Sequence, residues 1–197
     1  MIANLSILLA ASLALMGSPG PATLSVAAIG GAYGARGGLS YLAGIVIGTT
    51  GVLLIVASGL TAAILAEPAL ARAVGFAAAA YILYLAWRIA SAPPLGKEGP
   101  AVRAPSLPAG FLLAIANPKA YAAIGAVYSG NVLVDHDILL DAGMKIAVLT
   151  CMILATNSVW LVFGSLVSGV LRDPRWSRVA NIAFALALLV SVAFALL

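Results

Sequence analysis

The chain has 197 residues, of which 63% are hydrophobic and 8% are charged, and its formal net charge is +4. Because soluble domains are typically about 45–50% apolar and about 25% charged, a soluble fold of this length could not bury so much apolar surface. The basic residues stand singly between apolar runs, which argues against a nucleic-acid interface and fits contacts with lipid headgroups.

The apolar runs are continuous, which indicates membrane-spanning helices and not the alternating strands of a membrane barrel. Six spans are predicted, and they form a single all-α transmembrane domain over residues 1–197. The first span runs from about residue 3 to 33 and is broken at 17–21. We expect it to be retained, because no basic region of the kind found in a cleaved signal precedes it. The second span covers about 39–65 and the third about 71–90.

A linker rich in Pro and Gly, about 93–108, separates a first half of about 1–92 from a second half of about 109–197. The fourth span, about 109–129, contains a second break, and the fifth and sixth cover about 139–170 and 179–197. Three spans in each half predict an inverted repeat, with the first and fourth helices broken at proline. Breaks in corresponding positions of two halves are typical of the binding site of a small-solute transporter.

The basic residues predict the orientation, because loops on the cytoplasmic side carry most of them. Two basic residues fall on the side of the even-numbered loops, Arg72 and Lys145. Seven fall in the odd-numbered loops: Arg36, Arg88, Lys97, Arg103, Arg172, Arg175 and Arg178. We therefore expect a multi-pass protein of the bacterial inner membrane with both termini outside.

The first break contains the run Pro19-Gly20-Pro21. Two prolines this close remove two backbone donors and interrupt the helix, which lipid tolerates only where protein or a wet cavity satisfies the freed carbonyls. The half-helix after Pro21, with Thr23 in its first turn, presents a positive end that favours a carboxylate. The alternative is a kink that serves only helix packing.

The second break is Asn117-Pro118-Lys119. Asn117 is suited to cap a half-helix that begins at Pro118, since proline is favoured at the first helical position. Lys119 is the one ionisable residue placed well inside an apolar span, and such residues are commonly functional. Two interpretations remain open: Lys119 contacts the substrate, or its side chain extends to the cytoplasmic interface.

Other polar and aromatic side chains of the second half are candidates for lining a cavity. Asn157 and Trp160 lie in the fifth span, although polar residues there also bond to their own helix. An ammonium group of a substrate would need carbonyls freed by the breaks, or the faces of Tyr121 or Trp160. Small residues at Gly44, Gly48 and Gly164 predict close helix contacts, which are compatible with a homodimer.

The remaining reactive residues do not suggest catalysis. His136 lies between two aspartates in a predicted outer loop, and no cluster indicates a metal, a cofactor or an enzyme active site. We find no carboxylate inside any span, so Asp141 is assigned to the negatively charged outer face. Cys151, the only cysteine, is predicted to be a buried packing residue.

These features together resemble the LysE/RhtB family of bacterial amino-acid exporters over nearly the whole chain. The resemblance rests on Pro19-Gly20-Pro21, on Asn117-Pro118-Lys119, and on a set of small and basic residues between them. That set comprises Gly30, Gly34, Arg36, Gly38, Gly44, Gly48, Gly59, Pro68 and Gly75.

The resemblance implies export of an amino acid or a related small zwitterion, driven by the proton gradient or by exchange. It also implies a binding site around the two proline signatures. The absence of a carboxylate within the spans favours neutral amino acids over dibasic ones. An exporter of another solute or cation, and a membrane scaffold that transports nothing, are the alternatives.

Overall fold

A computed structural model describes residues 2–59 and 105–167 continuously, with scattered residues between 67 and 91 and between 173 and 190. Within these residues the structure is helical, and no strand occurs among them. The predicted third span (71–90), the linker (93–108) and the sixth span (179–197) lie largely outside the described residues. So do Arg88, Lys97, Arg103 and Arg172, on which much of the predicted orientation depends.

Five helices are complete in the described ranges: α1 (Ile2–Met16), α2 (Pro21–Ala57), α3 (Leu107–Ala116), α4 (Pro118–Ser129) and α5 (Ile138–Val167). α2 and α5 are long and apolar enough to cross a membrane, and the bent pair α3–α4 makes a third span if it is counted as one. The described part of the chain is therefore all-helical, with two or three segments of membrane-spanning length and composition. The six-span inverted repeat stays a prediction.

α2 is not one straight rod, because its backbone leaves the helical conformation at Gly34, with φ 73° and ψ 168°. A positive φ of this size favours glycine. The hydroxyl of Tyr41 donates a 3.0 Å hydrogen bond to Oγ of Ser25, although the two residues are 16 positions apart. In a straight helix they would be separated by about 24 Å. The chain therefore turns back at Gly34, inside the region 34–38 that separates the first two predicted spans.

Glycines allow the helices to pack backbone against backbone. A Cβ atom added at Gly44 would lie 2.8 Å from the backbone nitrogen of Phe111 in α3. A Cβ added at Gly164 would lie 2.7 Å from the carbonyl carbon of Ala27 in α2. Real Cβ atoms do not approach this closely, so the predicted close contacts at Gly44 and Gly164 are confirmed.

Large apolar side chains are exposed on α5 while polar side chains of the same helix are buried. Leu139 and Leu166 are 85% and 77% exposed, whereas Thr156 and Asn157 are buried. An apolar exterior of this kind is expected where lipid is the solvent. The prediction for Cys151 is wrong: its side chain is exposed. Residues two positions apart in a helix point in directions that differ by about 200°. Cys151 therefore faces away from Ile153, which is buried.

Asp141 lies buried inside α5 beside Lys145, so the prediction that no span contains a carboxylate is wrong. Both residues are buried in the first two turns of α5 and form an ion pair of 2.8 Å. Asp141 Oδ1 accepts hydrogen bonds from the backbone N–H groups of Leu133 and Val134, at 2.6 and 3.1 Å. Lys145 also donates to the carbonyl oxygen of Tyr128 at 3.1 Å. The pair thus holds the α4–α5 connection against α5. The spacing of four residues between an acidic and a basic side chain could have predicted the ion pair from the sequence.

Two glycines of α5 provide a matched test of this packing. Gly164→Ala should destabilise the protein by about 1–3 kcal/mol, because the α2 backbone at Ala27 must move. Gly143→Ala should be neutral or stabilising by up to about 1 kcal/mol, because no atom lies within 4 Å of the added Cβ. Thermal unfolding of both variants in detergent micelles measures the difference, and equal midpoints would contradict the described α2–α5 contact.

Candidate functional site

The first break lies where the sequence predicts it. α1 ends at Met16, and α2 begins at Pro21 with Gly20 as its N-cap residue. The hydroxyl oxygen of Thr23 accepts a 2.9 Å hydrogen bond from the backbone N–H of Gly20. Its own proton can go to the carbonyl oxygen of Gly20 or of Ser18, which lie 3.2 and 3.3 Å away. Thr23 therefore holds the start of α2 against the end of the break.

The two prolines of this break leave two carbonyls without their helical donors, and side chains replace those donors. In an unbroken helix the N–H groups of residues 19 and 21 would bond to the carbonyls of Leu15 and Gly17, but proline has no N–H. Ser18 Oγ donates to the Leu15 carbonyl at 2.9 Å. The indole N–H of Trp160 in α5 donates to the Gly17 carbonyl at 3.0 Å.

The second break bends the chain by 63° between α3 and α4. Asn117 is the N-cap residue of α4 and Pro118 occupies the first turn, as predicted. Pro118 has no N–H that could bond to the carbonyl of Ala114, four residues earlier. That carbonyl instead accepts a 3.3 Å hydrogen bond from the backbone N–H of Asn117. The predicted side-chain cap is wrong, because Asn117 makes no capping bond, and its Oδ1 is buried with no hydrogen-bond partner among the described residues.

Lys119 connects the two breaks. Its ammonium group donates to the carbonyl oxygen of Ser18 at 2.6 Å, to Ser18 Oγ at 2.8 Å and to the carbonyl oxygen of Pro19 at 2.9 Å. An ammonium group has three N–H donors, so all of them are engaged. Neither interpretation from the sequence described this role: in this structure Lys119 supplies donors to the backbone of the opposite break.

Both breaks open onto one cavity of about 40 Å³. The first turns of α2 and α4 contribute to its lining, as do the second part of α2 and the middle of α5. A water molecule needs about 10–15 Å³ on this scale, so the cavity holds a few waters and is too small for an amino acid in this conformation. None of the described residues that line it is acidic. Its polar lining residues are Thr23, Thr49, Asn117, Lys119, Thr156 and Asn157.

Three side-chain oxygens of the lining have no hydrogen-bond partner: Thr49 Oγ1, Asn117 Oδ1 and Asn157 Oδ1. The residues that carry them are only 7%, 4% and 5% exposed. Buried polar atoms without a partner are rare and cost about 1–3 kcal/mol each. Thr156 differs, because its hydroxyl donates to the Met152 carbonyl of its own helix at 2.7 Å.

The structure brings most of the predicted site residues together. Tyr121 packs against an apolar cluster that contains Leu8, and Trp160 bonds to the first break, so neither lines the cavity. Thr49 was missed, since an isolated threonine in an apolar span gives no sequence signal. The predicted residues that line the cavity are Gly20, Thr23, Asn117, Lys119 and Asn157. Those that shape the breaks beside it are Pro19, Pro21 and Pro118.

Gly20 is needed for space and not for its backbone conformation, since its φ of −173° is open to any residue. A Cβ added there would lie 2.5 Å from Cδ and 2.9 Å from Nζ of Lys119. We expect Gly20→Ala to displace the ammonium group and to lower stability by about 1–3 kcal/mol. Gly125→Ala in α4, where no atom lies within 4 Å of the added Cβ, is the control. Unchanged thermal unfolding in Gly20→Ala would contradict the described position of Lys119.

A comparison with protein-family models gives one family for this chain. The model of the LysE type translocators matches residues 13–197, which include both breaks and every polar residue of the cavity. Neither the curated proteins nor the solved structures gave a match. The match agrees with the resemblance carried by Pro19-Gly20-Pro21 and Asn117-Pro118-Lys119. The chain belongs to the LysE type translocator family, a family of membrane transporters.

Proposed function

We propose that the protein exports an amino acid or a related small zwitterion across the bacterial inner membrane, and that the substrate binds in the cavity between the two breaks. One observation carries this proposal. The first turns of two separate half-helices, α2 and α4, line one cavity that carries six polar side chains within otherwise apolar helices. Polar groups buried at such a site are costly in lipid and are typical of transport pathways.

The charges around the cavity suit a substrate carboxylate. The amino-terminal ends of α2 and α4 each carry roughly half a positive charge, and both meet the cavity, through Thr23 and through Ala120. Lys119 adds a full positive charge to the same lining. Its N–H groups are engaged with Ser18 and Pro19, so it acts on a bound carboxylate through its charge in this conformation.

The lining favours a neutral amino acid over a dibasic one. A second ammonium group would need a carboxylate, and none of the described lining residues is acidic. Asp141, which is buried, already pairs with Lys145 and is not part of the lining. A dibasic side chain would instead meet the positive charge of Lys119.

The small volume of the cavity fits transport by alternating access. Since no amino acid fits in this conformation, binding requires the two breaks to move apart, and one half rocking against the other achieves this. The odd-numbered loops face the cytoplasm in this proposal, and the proton gradient or exchange drives export. Nothing in the described lining of the cavity requires a second subunit, and Gly44 and Gly164 pack against other helices of the same chain, so they do not support a homodimer.

Counterflow in proteoliposomes tests this proposal directly. The purified protein should exchange at least one neutral amino acid from a panel of glycine, alanine, valine, leucine and threonine. Asn157→Leu, which keeps the side-chain size and removes the polar group, should lower the counterflow rate about tenfold or more. Gly125→Ala, an α4 substitution into open space, should transport as the intact protein does.

Thermal unfolding establishes that each variant is folded before transport is compared. No counterflow of any amino acid by the intact, folded protein would contradict export of this substrate class. Full counterflow in a folded Asn157→Leu variant would contradict the location of the site instead.

A further inference from the structure

We propose that Thr49 Oγ1, Asn117 Oδ1 and Asn157 Oδ1 form a subsite that binds the ammonium group of the substrate. This inference rests on the proposed function, because it assigns one part of the same cavity to one part of the zwitterion. The three oxygens come from α2, from the junction of α3 and α4, and from α5. An ammonium group bound to all three would join three separate parts of the fold.

The unpaired state of these oxygens is the first observation that points to a ligand. All three side chains are more than nine-tenths buried, line the same cavity and have no hydrogen-bond partner for these atoms. An ammonium group offers three N–H donors, which matches the number of unpaired oxygens. Binding such a group would satisfy each buried oxygen at once.

The orientation of the Asn157 side chain excludes binding of the substrate carboxylate at that residue. Its Nδ2 donates a 2.8 Å hydrogen bond to the carbonyl oxygen of Ile153, one turn earlier in α5. Because the amide nitrogen is fixed there, the group left unpaired is the carbonyl oxygen, which can only accept hydrogen bonds. A carboxylate also only accepts, so Asn157 Oδ1 is complementary to the amino group of the substrate and not to its carboxylate.

The alternative places for an ammonium group are already filled. The carbonyls of Ser18 and Pro19, freed by the first break, accept hydrogen bonds from Lys119, and the Gly17 carbonyl accepts one from Trp160. A substrate ammonium at those carbonyls would also stand next to the positive charge of Lys119. The three neutral side-chain oxygens accept no hydrogen bond from Lys119 or Trp160, so a substrate ammonium group would not have to displace either residue there.

Thr49 and Thr50 provide a matched pair of variants. Both hydroxyl oxygens are buried without a partner, but only Thr49 lines the cavity. Threonine to valine removes the hydroxyl and keeps the shape of the side chain. Thr49→Val should therefore weaken recognition of an amino group, whereas Thr50→Val should leave recognition unchanged.

The measurement uses competition against counterflow of the best amino acid from the panel. The competitors are that amino acid, the matching amine without the carboxyl group, and the matching acid without the amino group. In Thr49→Val we expect the amino acid and the amine to compete about tenfold less well, which corresponds to about 1.4 kcal/mol, and the acid to compete as before. Thr50→Val should leave all three competitors unchanged.

A second variant is designed to strengthen binding of the amino group instead of weakening it. Asn117→Asp replaces a neutral acceptor by a charged one at the N-cap of α4, where aspartate is also favoured. The amine should compete severalfold better in this variant and the acid less well. An acid that competes better in Asn117→Asp would overturn the inference.

Three further outcomes would overturn the inference while leaving export itself intact. They are an equal loss for acid and amine in Thr49→Val, an equal effect of Thr50→Val, and a dependence of counterflow on Na⁺ that Thr49→Val removes. The last would place a metal cation at these oxygens instead of the ammonium group. If no amino acid gives counterflow in the intact protein, the proposed function fails, and the subsite fails with it.

Discussion

The Lys119 ammonium group bonds to the carbonyls of Ser18 and Pro19, so the second broken helix supplies donors to the backbone of the first break. A break in a helix leaves carbonyls that lipid cannot satisfy, and each would be costly if left alone. The indole N–H of Trp160 in α5 donates a hydrogen bond to the Gly17 carbonyl of the same break. Two parts of the chain more than 100 positions away thus make the first break tolerable, and that requirement brings α4 and α5 against the end of α1.

The cavity is a consequence of this arrangement. Once the breaks are held side by side, the first turns of α2 and α4 face a common space. The same lining combines a positive charge at Lys119 with unpaired acceptor oxygens at Thr49, Asn117 and Asn157. A small zwitterion carries the complementary groups, an anionic carboxylate and a donating ammonium. The chain belongs to a family of membrane transporters, and a zwitterion of this kind is the cargo that we propose for it.

The sequence predicted the positions of the breaks because proline acts locally, through its missing N–H and its fixed φ. It could not show that Lys119 reaches Ser18, since that contact depends on how distant helices pack. The ion pair of Asp141 and Lys145 was visible as an i, i+4 spacing, but its burial depends on the connection that folds over it. Thr49 gave no signal, because its place in the cavity lining depends on facing the breaks and not on its neighbours in sequence.

The contact between Lys119 and the first break can be measured as a distance by solid-state NMR. With 15N at lysine Nζ and 13C at serine carbonyls, the protein in lipid should show a nitrogen–carbon contact within about 4 Å, given a C=O bond of about 1.23 Å and the 2.6 Å hydrogen bond to Ser18. This contact should be missing in Lys119→Met. The comparison also shows that the signal comes from Lys119 and not from another lysine. A spectrum of the intact, folded protein in which the Lys119 Nζ signal, assigned by its loss in Lys119→Met, shows no contact to a serine carbonyl carbon would contradict the account.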